Sequence, residues 1–294
     1  MYPSEFKYLA AESVDDALTL IADHEFAEIL AGGQSLIPLQ KERLAMPDYV
    51  IDISEIAELD YIEETADEIR LGAVTTHTTA EESELVREHV FIFSECISKI
   101  ADRLVRNRGT VGGTVVEADP DGDYMPVMKL LNPDVVVTGP DGERVIPFSE
   151  FYIGMFTVDI EEDELLTEVR LPKLPLLPEA AGVGSTYKKH VNRSGDYAIV
   201  GVAALVHVDD DGSIIDARVT IGSVGPLLTS EGAADAVVGT KLDEASLEAA
   251  ADAVEAEVMP DQEGRLGAYK RAMAGEFTQQ ALRTAYERAL ADSQ

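Results

Sequence analysis

Apolar residues recur along the first quarter of the chain with helical spacing at first and in short clusters afterwards. Apolar side chains after Ser13 fall on one face of a helix, which predicts a helix over residues 14–23 with Ser13 as its N-cap. Short apolar clusters at 27–30, 49–53 and 69–73 predict strands. The chain therefore begins by alternating helical and extended segments, as a mixed α and β protein does.

The middle of the chain continues this mixture. Residues 86–102 and 124–131 have the composition and spacing of helices, and Thr79 is a candidate N-cap for a further helix. The turn sequence from Gly139 to Gly142 lies between two apolar runs and predicts a β-hairpin. The strands of this region are predicted at 135–138, 144–146 and 165–171.

The residue composition changes at residues 172–185, where three prolines are followed by two glycines. This stretch is the best candidate for a domain boundary. Beyond it, strands predicted at 198–208 and 214–221 flank an acidic turn, Asp209 to Gly212, which reads as a hairpin tip and not as a calcium loop. Helices are predicted at 244–258 and 268–291. The C-terminal third is therefore expected to be an antiparallel sheet with helices on one face.

Length and composition narrow the class of protein. A chain of 294 residues suits two domains, since domains of about 100–200 residues are usual. No run approaches the roughly 18 apolar residues of a membrane span, and the N-terminus lacks the features of a signal peptide. One cysteine cannot form an internal disulfide or hold an iron–sulfur cluster, and Cys96 is interpreted as a buried thiol. The expected location is the cytoplasm.

The chain is extremely acidic, with 56 Asp and Glu against 23 Lys and Arg and a net charge of −33. Such a surface repels nucleic acid, so we expect no nucleic-acid partner. The acidic residues are spread over the whole chain, which favours adaptation to a high-salt cytoplasm such as that of a halophilic archaeon. An acidic protein of an ordinary cell remains the alternative.

The few basic residues lie in clusters. Arg103, Arg106 and Arg108 form one, Lys41 with Arg43 a second, and the segment 188–193 a third. These clusters could converge on an anion or on a partner surface, and the alternative is local pairing with neighbouring carboxylates.

The five histidines are scattered without the spacing of metal ligands, so no metal site is predicted; His77 stands out because it follows two threonines.

Two glycine-rich segments are the candidate ligand-binding loops of the chain: Ala31 to Leu36 and Arg106 to Gly113. Glycine lets a backbone approach a ligand closely, and successive N–H groups in such loops form anion sites. Two loops of this kind suggest a ligand with two phosphates, although the first loop taken alone favours the interpretation as a plain turn. Neither matches a G-x-G-x-x-G or G-x-x-x-x-G-K-[ST] motif. Among the nearby acids, Asp119 and Asp121 suit Asx turns and Asp123 suits an N-cap.

The amino-acid sequence of these segments resembles that of the FAD-binding medium subunit of the molybdenum hydroxylases, the family of aerobic carbon monoxide dehydrogenase and xanthine dehydrogenase. The first segment, with Ile51-Asp52-Ile53 after it, is similar to that family's first FAD motif. The second segment, with Asp119-Pro120 and Asp123-Tyr124 after it, is similar to the second FAD motif of that family. A third block joins Lys188 to Arg193-x-Gly195-Asp196-Tyr197-Ala198. The similarity runs nearly end to end and is nearest to the carbon monoxide dehydrogenase branch.

The resemblance implies an α+β fold. Residues 1–175 would form an FAD-binding domain of the vanillyl-alcohol oxidase type, in subdomains of about 1–54 and 55–175. Residues 180–291 would form a C-terminal flavoprotein domain with an antiparallel sheet and helices. FAD would lie between the two domains. The implied cofactor contacts are Ala31, Gly32, Gly33, Gln34, Ser35, Leu36, Thr75, Ile100, Thr110, Val111, Gly112, Gly113, Thr114, Asp123, Leu166, Lys188 and Tyr197.

The resemblance also implies a function. The substrate would be oxidised at the molybdenum centre of a molybdopterin-containing large subunit, and electrons would reach FAD through the [2Fe–2S] clusters of a small subunit. FAD would pass them to an external acceptor, so this chain needs no catalytic acid or base. The complex is expected to be a dimer of heterotrimers. The alternatives are a stand-alone FAD-dependent oxidase and an acidic interaction protein without flavin. One departure is Thr114, where the family usually has asparagine.

Overall fold

The computed structural model describes residues 2–260 and 264–293. Contacts between residues divide the chain into two compact units, each built from several segments. The first unit comprises Met1–Ser83, Asp102–Ala118 and Pro133–Leu171. The second unit comprises Glu84–Ala101, Asp119–Asn132 and Pro172–Gln294.

Fourteen strands and twelve α-helices are found in the described residues. The strands are β1 (Lys7–Ala10), β2 (Ala27–Leu30), β3 (Tyr49–Asp52), β4 (Ile62–Glu64), β5 (Glu68–Gly72), β6 (Asp134–Gly139), β7 (Gly142–Pro147), β8 (Tyr152–Gly154), β9 (Thr157–Val158), β10 (Leu165–Pro172), β11 (Gly182–His190), β12 (Val200–Val208), β13 (Ile214–Gly222) and β14 (Leu228–Thr229). The helices are α1 (Val14–Asp23), α2 (Leu36–Lys41), α3 (His77–Glu82), α4 (Glu84–His89), α5 (Phe91–Ile97), α6 (Arg103–Arg106), α7 (Val111–Glu117), α8 (Tyr124–Leu131), α9 (Phe148–Phe151), α10 (Glu231–Val237), α11 (Glu244–Glu257) and α12 (Arg265–Asp292). The α+β class is confirmed.

The first unit contains a parallel sheet of three strands in the order β1-β3-β2. Helix α1 packs on it, and the apolar face of α1 meets Ile51 and Ile53 in one core. Ser13 caps this helix as predicted, since its side chain accepts a hydrogen bond from the N–H of Asp16 at 3.1 Å. The first glycine-rich segment leaves this sheet at the carboxyl end of β2.

The first unit also contains a sheet of five strands in the order β4-β5-β10-β6-β7. Strands β6 and β7 form the predicted hairpin, with Gly139 opposite Gly142. The segment after β5 is anchored to β10, because the N–H of Ala73 donates to the carbonyl of Thr167 at 2.9 Å. This anchor fixes the turn from which α3 begins, next to the second glycine-rich segment.

The second unit is built on an antiparallel sheet in the order β11-β12-β13-β14. Alternate residues of β12, from Val200 to Val208, form a core with helices α10, α11 and α12. Helix α12 lies directly on β11, because a Cβ added at Gly184 would overlap the carbonyl oxygen of Ala285. The two glycines of β11 therefore let a helix backbone approach the sheet.

The opposite face of this sheet is also covered by helices, whereas the sequence predicted helices on one face. Thr220 points to that face and donates to the carbonyl of Pro126 in α8 at 2.6 Å. Helix α5 contacts β11 in the same layer. Both helices come from segments far earlier in the chain, which hydrophobic periodicity alone cannot assign to a sheet.

Several element boundaries differ from the predictions. Thr79 is not an N-cap, because Thr76 caps α3 and its hydroxyl accepts from the N–H of Thr79 at 3.1 Å. The helical segment predicted to reach residue 102 ends at Ile97. Strand β11 begins at Gly182, inside the stretch interpreted as a boundary. Cys96 is buried as predicted, and the Asp209 carboxylate closes the predicted hairpin tip by accepting from Asp211 and Ser213.

Candidate functional site

The first glycine-rich segment forms a loop of free backbone donors between β2 and α2. Within the described parts of the chain, the N–H groups of residues 32–35 have no hydrogen-bond acceptor. Gly33 has a φ of 69°, a left-handed conformation that favours glycine. Gln34 folds back so that its Nε2 donates to the carbonyl of Gly32 at 3.3 Å. Successive free donors in one turn are an arrangement that can bind an anion.

The second glycine-rich segment forms the start of helix α7. Thr110 is the N-cap, and its Oγ1 accepts a hydrogen bond from the N–H of Gly113 at 3.2 Å. The N–H of Val111 donates to the carbonyl of Thr75, and that of Gly112 donates to the carbonyl of Ala73, both at 2.9 Å. The turn after β5 therefore fixes the position of this helix start.

The two segments touch through their backbones. A Cβ added at Gly32 would overlap the carbonyl oxygen of Arg108 and lie 2.8 Å from the Cα of Gly109. Gly113 is exposed, and a Cβ there would lie 3.8 Å from the Cβ of Ala31 and 2.8 Å from the Oγ1 of Thr110. The structure thus brings residues 31–36 and 109–114 together in one place. We call this pair of segments the cradle.

The Thr75 side chain is turned away from the cradle surface. It is completely buried, and its Oγ1 donates to the carbonyl of Tyr61 at 2.9 Å. Its backbone, by contrast, is the acceptor for Val111. Thr75 therefore supports the second segment through its main chain.

His77 lies beneath the second segment. Its backbone N–H donates to the carbonyl of Gly109 at 2.9 Å, and a Cβ added at Gly109 would lie 2.7 Å from the Cδ2 of the His77 ring. The ring Nε2 is 3.1 Å from the Oγ1 of Thr114. Burial, followed by the positive charge of Arg106, lowers the pKa of His77 to about 4, so the ring is neutral at pH 7.

The basic residues beside the cradle divide between paired and free. Arg106 pairs with Glu81 at 3.0 Å, and the exposed Arg103 lies 3.6 Å from Glu82. The alternative of local ion pairing is therefore confirmed for these two. Arg108 is exposed, and its side chain has no ion-pair partner in the described part of the chain.

The second unit holds a buried polar cluster centred on Asp123. The carboxylate accepts from the hydroxyl of Tyr187 at 2.7 Å and from the Nζ of Lys189 at 2.8 Å. Lys189 also donates to the carbonyl of Lys99 at 2.9 Å. Burial raises the pKa of Asp123, although Lys189 and Tyr187 act in the opposite direction. Asp123 is at the N-cap position of α8 as predicted, but its side chain makes no capping hydrogen bond.

Strand alternation explains why Lys189, which the sequence analysis did not select, belongs to this cluster. In β11, Tyr187 and Lys189 point to one face, and Lys188 points to the other. The side chains of Lys189 and Asp123 are each only 6 % exposed. The signal that could have found Lys189 was its two-residue spacing from Tyr187, but no strand was predicted over these residues, and β11 was needed to show that the two side chains share a face.

The remaining predicted contacts are scattered. Leu166 is buried in β10, next to the residue that anchors Ala73. In the second unit, Ile100 is partly buried and Tyr197 is 64 % exposed.

The described residues contain neither a cluster of metal-ligand side chains nor a helix suited to cross a membrane. Over residues 2–260 and 264–293, no group of three or more His, Cys, Asp or Glu side chains could hold a metal ion. None of the helices within those residues has the length and apolar character needed to cross a membrane.

Both parts of the chain match known protein families. Residues 4–174 match the family described as the FAD binding domain in molybdopterin dehydrogenase. Residues 185–285 match the family described as the CO dehydrogenase flavoprotein C-terminal domain.

The similarity to individual proteins extends over nearly the whole chain. The chain is 34% identical to the carbon monoxide dehydrogenase medium chain of Hydrogenophaga pseudoflava, over 98% of this chain and 99% of that one. It is 32% identical to the glyceraldehyde dehydrogenase medium chain of Sulfolobus acidocaldarius, over 96% and 99%. A solved structure of carbon monoxide dehydrogenase from Hydrogenophaga pseudoflava, lacking the Mo-pyranopterin moiety, superimposes with a TM-score of 0.91, covering 98% of this chain and 100% of that one.

Proposed function

Because this chain belongs to the family of FAD-binding medium subunits of molybdenum hydroxylases, we propose that its cradle binds the pyrophosphate of FAD. The chain is an oxidoreductase subunit, and FAD is its cofactor. When bound, FAD supplies the redox chemistry, and the protein supplies position and electrostatics. With FAD bound, this subunit would take up electrons from the iron–sulfur clusters of a partner and deliver them as a pair to an external acceptor.

The observation that carries this assignment is the row of free donors at residues 32–35 beside the glycine contact. Buried or half-buried backbone donors normally have partners, so a row of four without acceptors is suited to an anion. The net charge of −33 makes this local arrangement necessary, because the protein as a whole repels a pyrophosphate. The backbone of Arg108 lies against Gly32, and its exposed side chain, which has no ion-pair partner among the described residues, is the candidate source of positive charge for this site.

Each segment has a distinct part in binding. In the first, the backbone of Gly32, Gly33, Gln34 and Ser35 donates to phosphate oxygens, while Ala31 and Leu36 mark the ends of the loop. In the second, Gly113 leaves the exposed side of the start of α7 open, Gly112 lets the helix pack against Ala73, and Thr110 fixes the first turn. Val111 and Gly112 are held through the turn after β5.

We propose that the Asp123 cluster also faces the cofactor, because the resemblance implies that Asp123 contacts FAD. Supporting this is the pairing of Asp123 with Lys189, a charge pair whose two side chains are each only 6 % exposed. A carboxylate has acceptor capacity left after two hydrogen bonds, so Asp123 can still accept from hydroxyl groups of a ligand. Ile100, Leu166, Lys188 and Tyr197 stay predictions from the resemblance.

The partners proposed are a molybdopterin-containing large subunit and a [2Fe–2S] small subunit, in a dimer of heterotrimers. The relatives that cover this chain end to end are named medium chains, which supports a place in a multi-subunit enzyme. The acidic composition supports a cytoplasm rich in salt, as in a halophilic archaeon.

Flavin titration of the full chain in multimolar KCl tests the cofactor assignment. The wild type should take up about one FAD per chain, and Gly113→Val should weaken binding at least about tenfold because its side chain fills the opening between the two segments. Gly154→Val is the matched control, since a Cβ at Gly154 has nothing within 4 Å. A folded wild type that takes up no flavin, or equal affinity in Gly113→Val, would refute the proposal.

A further inference from the structure

In the hydrogen bond between His77 and Thr114, either the ring Nε2 or the threonine hydroxyl can be the donor. Within the described residues, the His77 ring is the only partner of the Thr114 hydroxyl. Thr114 lies in the first turn of α7, one residue after Gly113, which faces Ala31 across the cradle. A hydroxyl at this place has one proton, and it can be given either to the ring or to a ligand in the cradle.

We propose that His77 is a positioning residue for the cradle, whose Nε2–H donates to Thr114 Oγ1 and leaves the threonine proton free for a bound phosphate oxygen. This inference rests on the proposed FAD site. The opposite arrangement, with Nε2 as acceptor, would use up the only proton of Thr114 and turn two oxygen lone pairs toward an anion, which repels them. A donating ring therefore makes a threonine a usable donor at this position.

The surroundings of His77 fit this role. The ring is 3 % exposed, lies against the Cα side of Gly109, and is held at its own backbone by the carbonyl of that glycine. It is neutral at pH 7, so it carries one ring proton and one lone pair, and the tautomer is set by its partners. A ring locked in this way can fix the rotation of a hydroxyl, which a solvated side chain cannot.

Three variants of the full chain separate this inference from a packing role. Thr114→Val removes the hydroxyl, His77→Phe keeps a ring against Gly109 without the donor, and the double variant removes both. We expect each single variant to weaken FAD binding roughly tenfold, the size of one hydrogen bond to a charged group. The double variant should bind no worse than either single one, because both changes break the same linked pair.

A second measurement reads the proton directly. Nitrogen NMR of the His77 ring should show the Nε2-protonated tautomer before flavin is added. His77→Gln, whose amide can also donate to Thr114, should recover most of the affinity lost in His77→Phe. Thermal unfolding of each flavin-free variant shows which of them are folded, and only those are compared.

The outcomes distinguish the two proposals. A wild type that does not bind FAD refutes the proposed function and leaves the tautomer to be read by NMR, where an Nδ1-protonated ring refutes the role of His77. A wild type that binds FAD, with unchanged affinity in Thr114→Val or with additive losses in the double variant, refutes the role of His77 alone.

Discussion

At the scale of single residues, the cradle depends on positions where a side chain is absent. Gly32 is required because two backbones meet there, and Gly33 because its φ is 69°. Both glycines were predicted to matter, since paired glycines beside hydroxyl and amide residues are visible in a sequence. What each glycine contacts could not be predicted, because Gly32 and Arg108 are far apart along the chain.

His77 also predicts a pH dependence of stability. Burial, followed by the charge of Arg106, lowers its pKa from 6.5 to about 4. The unfolded chain therefore takes up a proton at higher pH than the folded protein does. The free energy of unfolding should fall as pH decreases from 6.5 toward 4, by about 3 kcal/mol for this group, with no contribution above that range.

Chemical unfolding at a series of pH values in constant KCl measures this effect. His77→Phe has no titrating ring, so the difference in free energy of unfolding between the variant and the wild type should grow in favour of the variant as the pH falls. A difference that stays constant between pH 7 and pH 4 would contradict the assigned pKa.

At the scale of elements, local signals predicted some boundaries closely. Helix α1 has a serine cap and a regular apolar face, and α8 has a continuous apolar composition, and both were predicted with their observed bounds. Helices α2 and α7 were missed because each begins directly after glycines, which in a sequence indicate a turn. Strand β11 was not predicted. One reason is that two of its residues are glycines, which in a sequence indicate a turn and here allow α12 to pack closely.

The alternation of β11 leads to a matched pair of substitutions. Lys189→Met removes the cation from a nearly buried carboxylate and should lower the free energy of unfolding by about 3 kcal/mol or more. Lys188→Met lies on the other face of the strand, where no ion pair of Lys188 is found in the described residues, and should cost less than about 0.5 kcal/mol.

Denaturant unfolding of the two variants in the same buffer provides the comparison. Equal effects of the two substitutions would show that Lys189 does not stabilise Asp123. A larger loss in Lys188→Met would reverse the assignment of the two lysines.

At the scale of the whole molecule, the charge of −33 dominates. Repulsion among 56 carboxylates opposes the compact state, and salt screens it over about 10 Å at 0.1 M and over shorter distances as the concentration rises. We expect the thermal midpoint of the flavin-free chain to rise steadily from dilute buffer to multimolar KCl. A midpoint that is already maximal in dilute buffer would argue against adaptation to high salt.

Composition and motif order predicted the class, the family and the cofactor, because these depend on short segments and on counts. The grouping of segments into compact units was less accessible. Helices α5 and α8 belong to the second unit although they lie within the first half of the chain, and nothing in their own sequences indicates which sheet they cover.

This grouping has a consequence for dissection of the protein. A fragment beginning at Pro172 would retain the four-stranded sheet and helices α10 to α12, but it would lack α5 and α8 and so expose the buried face of the sheet that these two helices cover. The complementary fragment would carry those two helices without the strands that they cover. The gene therefore cannot be divided at its proline-rich stretch into two self-sufficient modules, and recombination in evolution or in the laboratory has to exchange the two parts together.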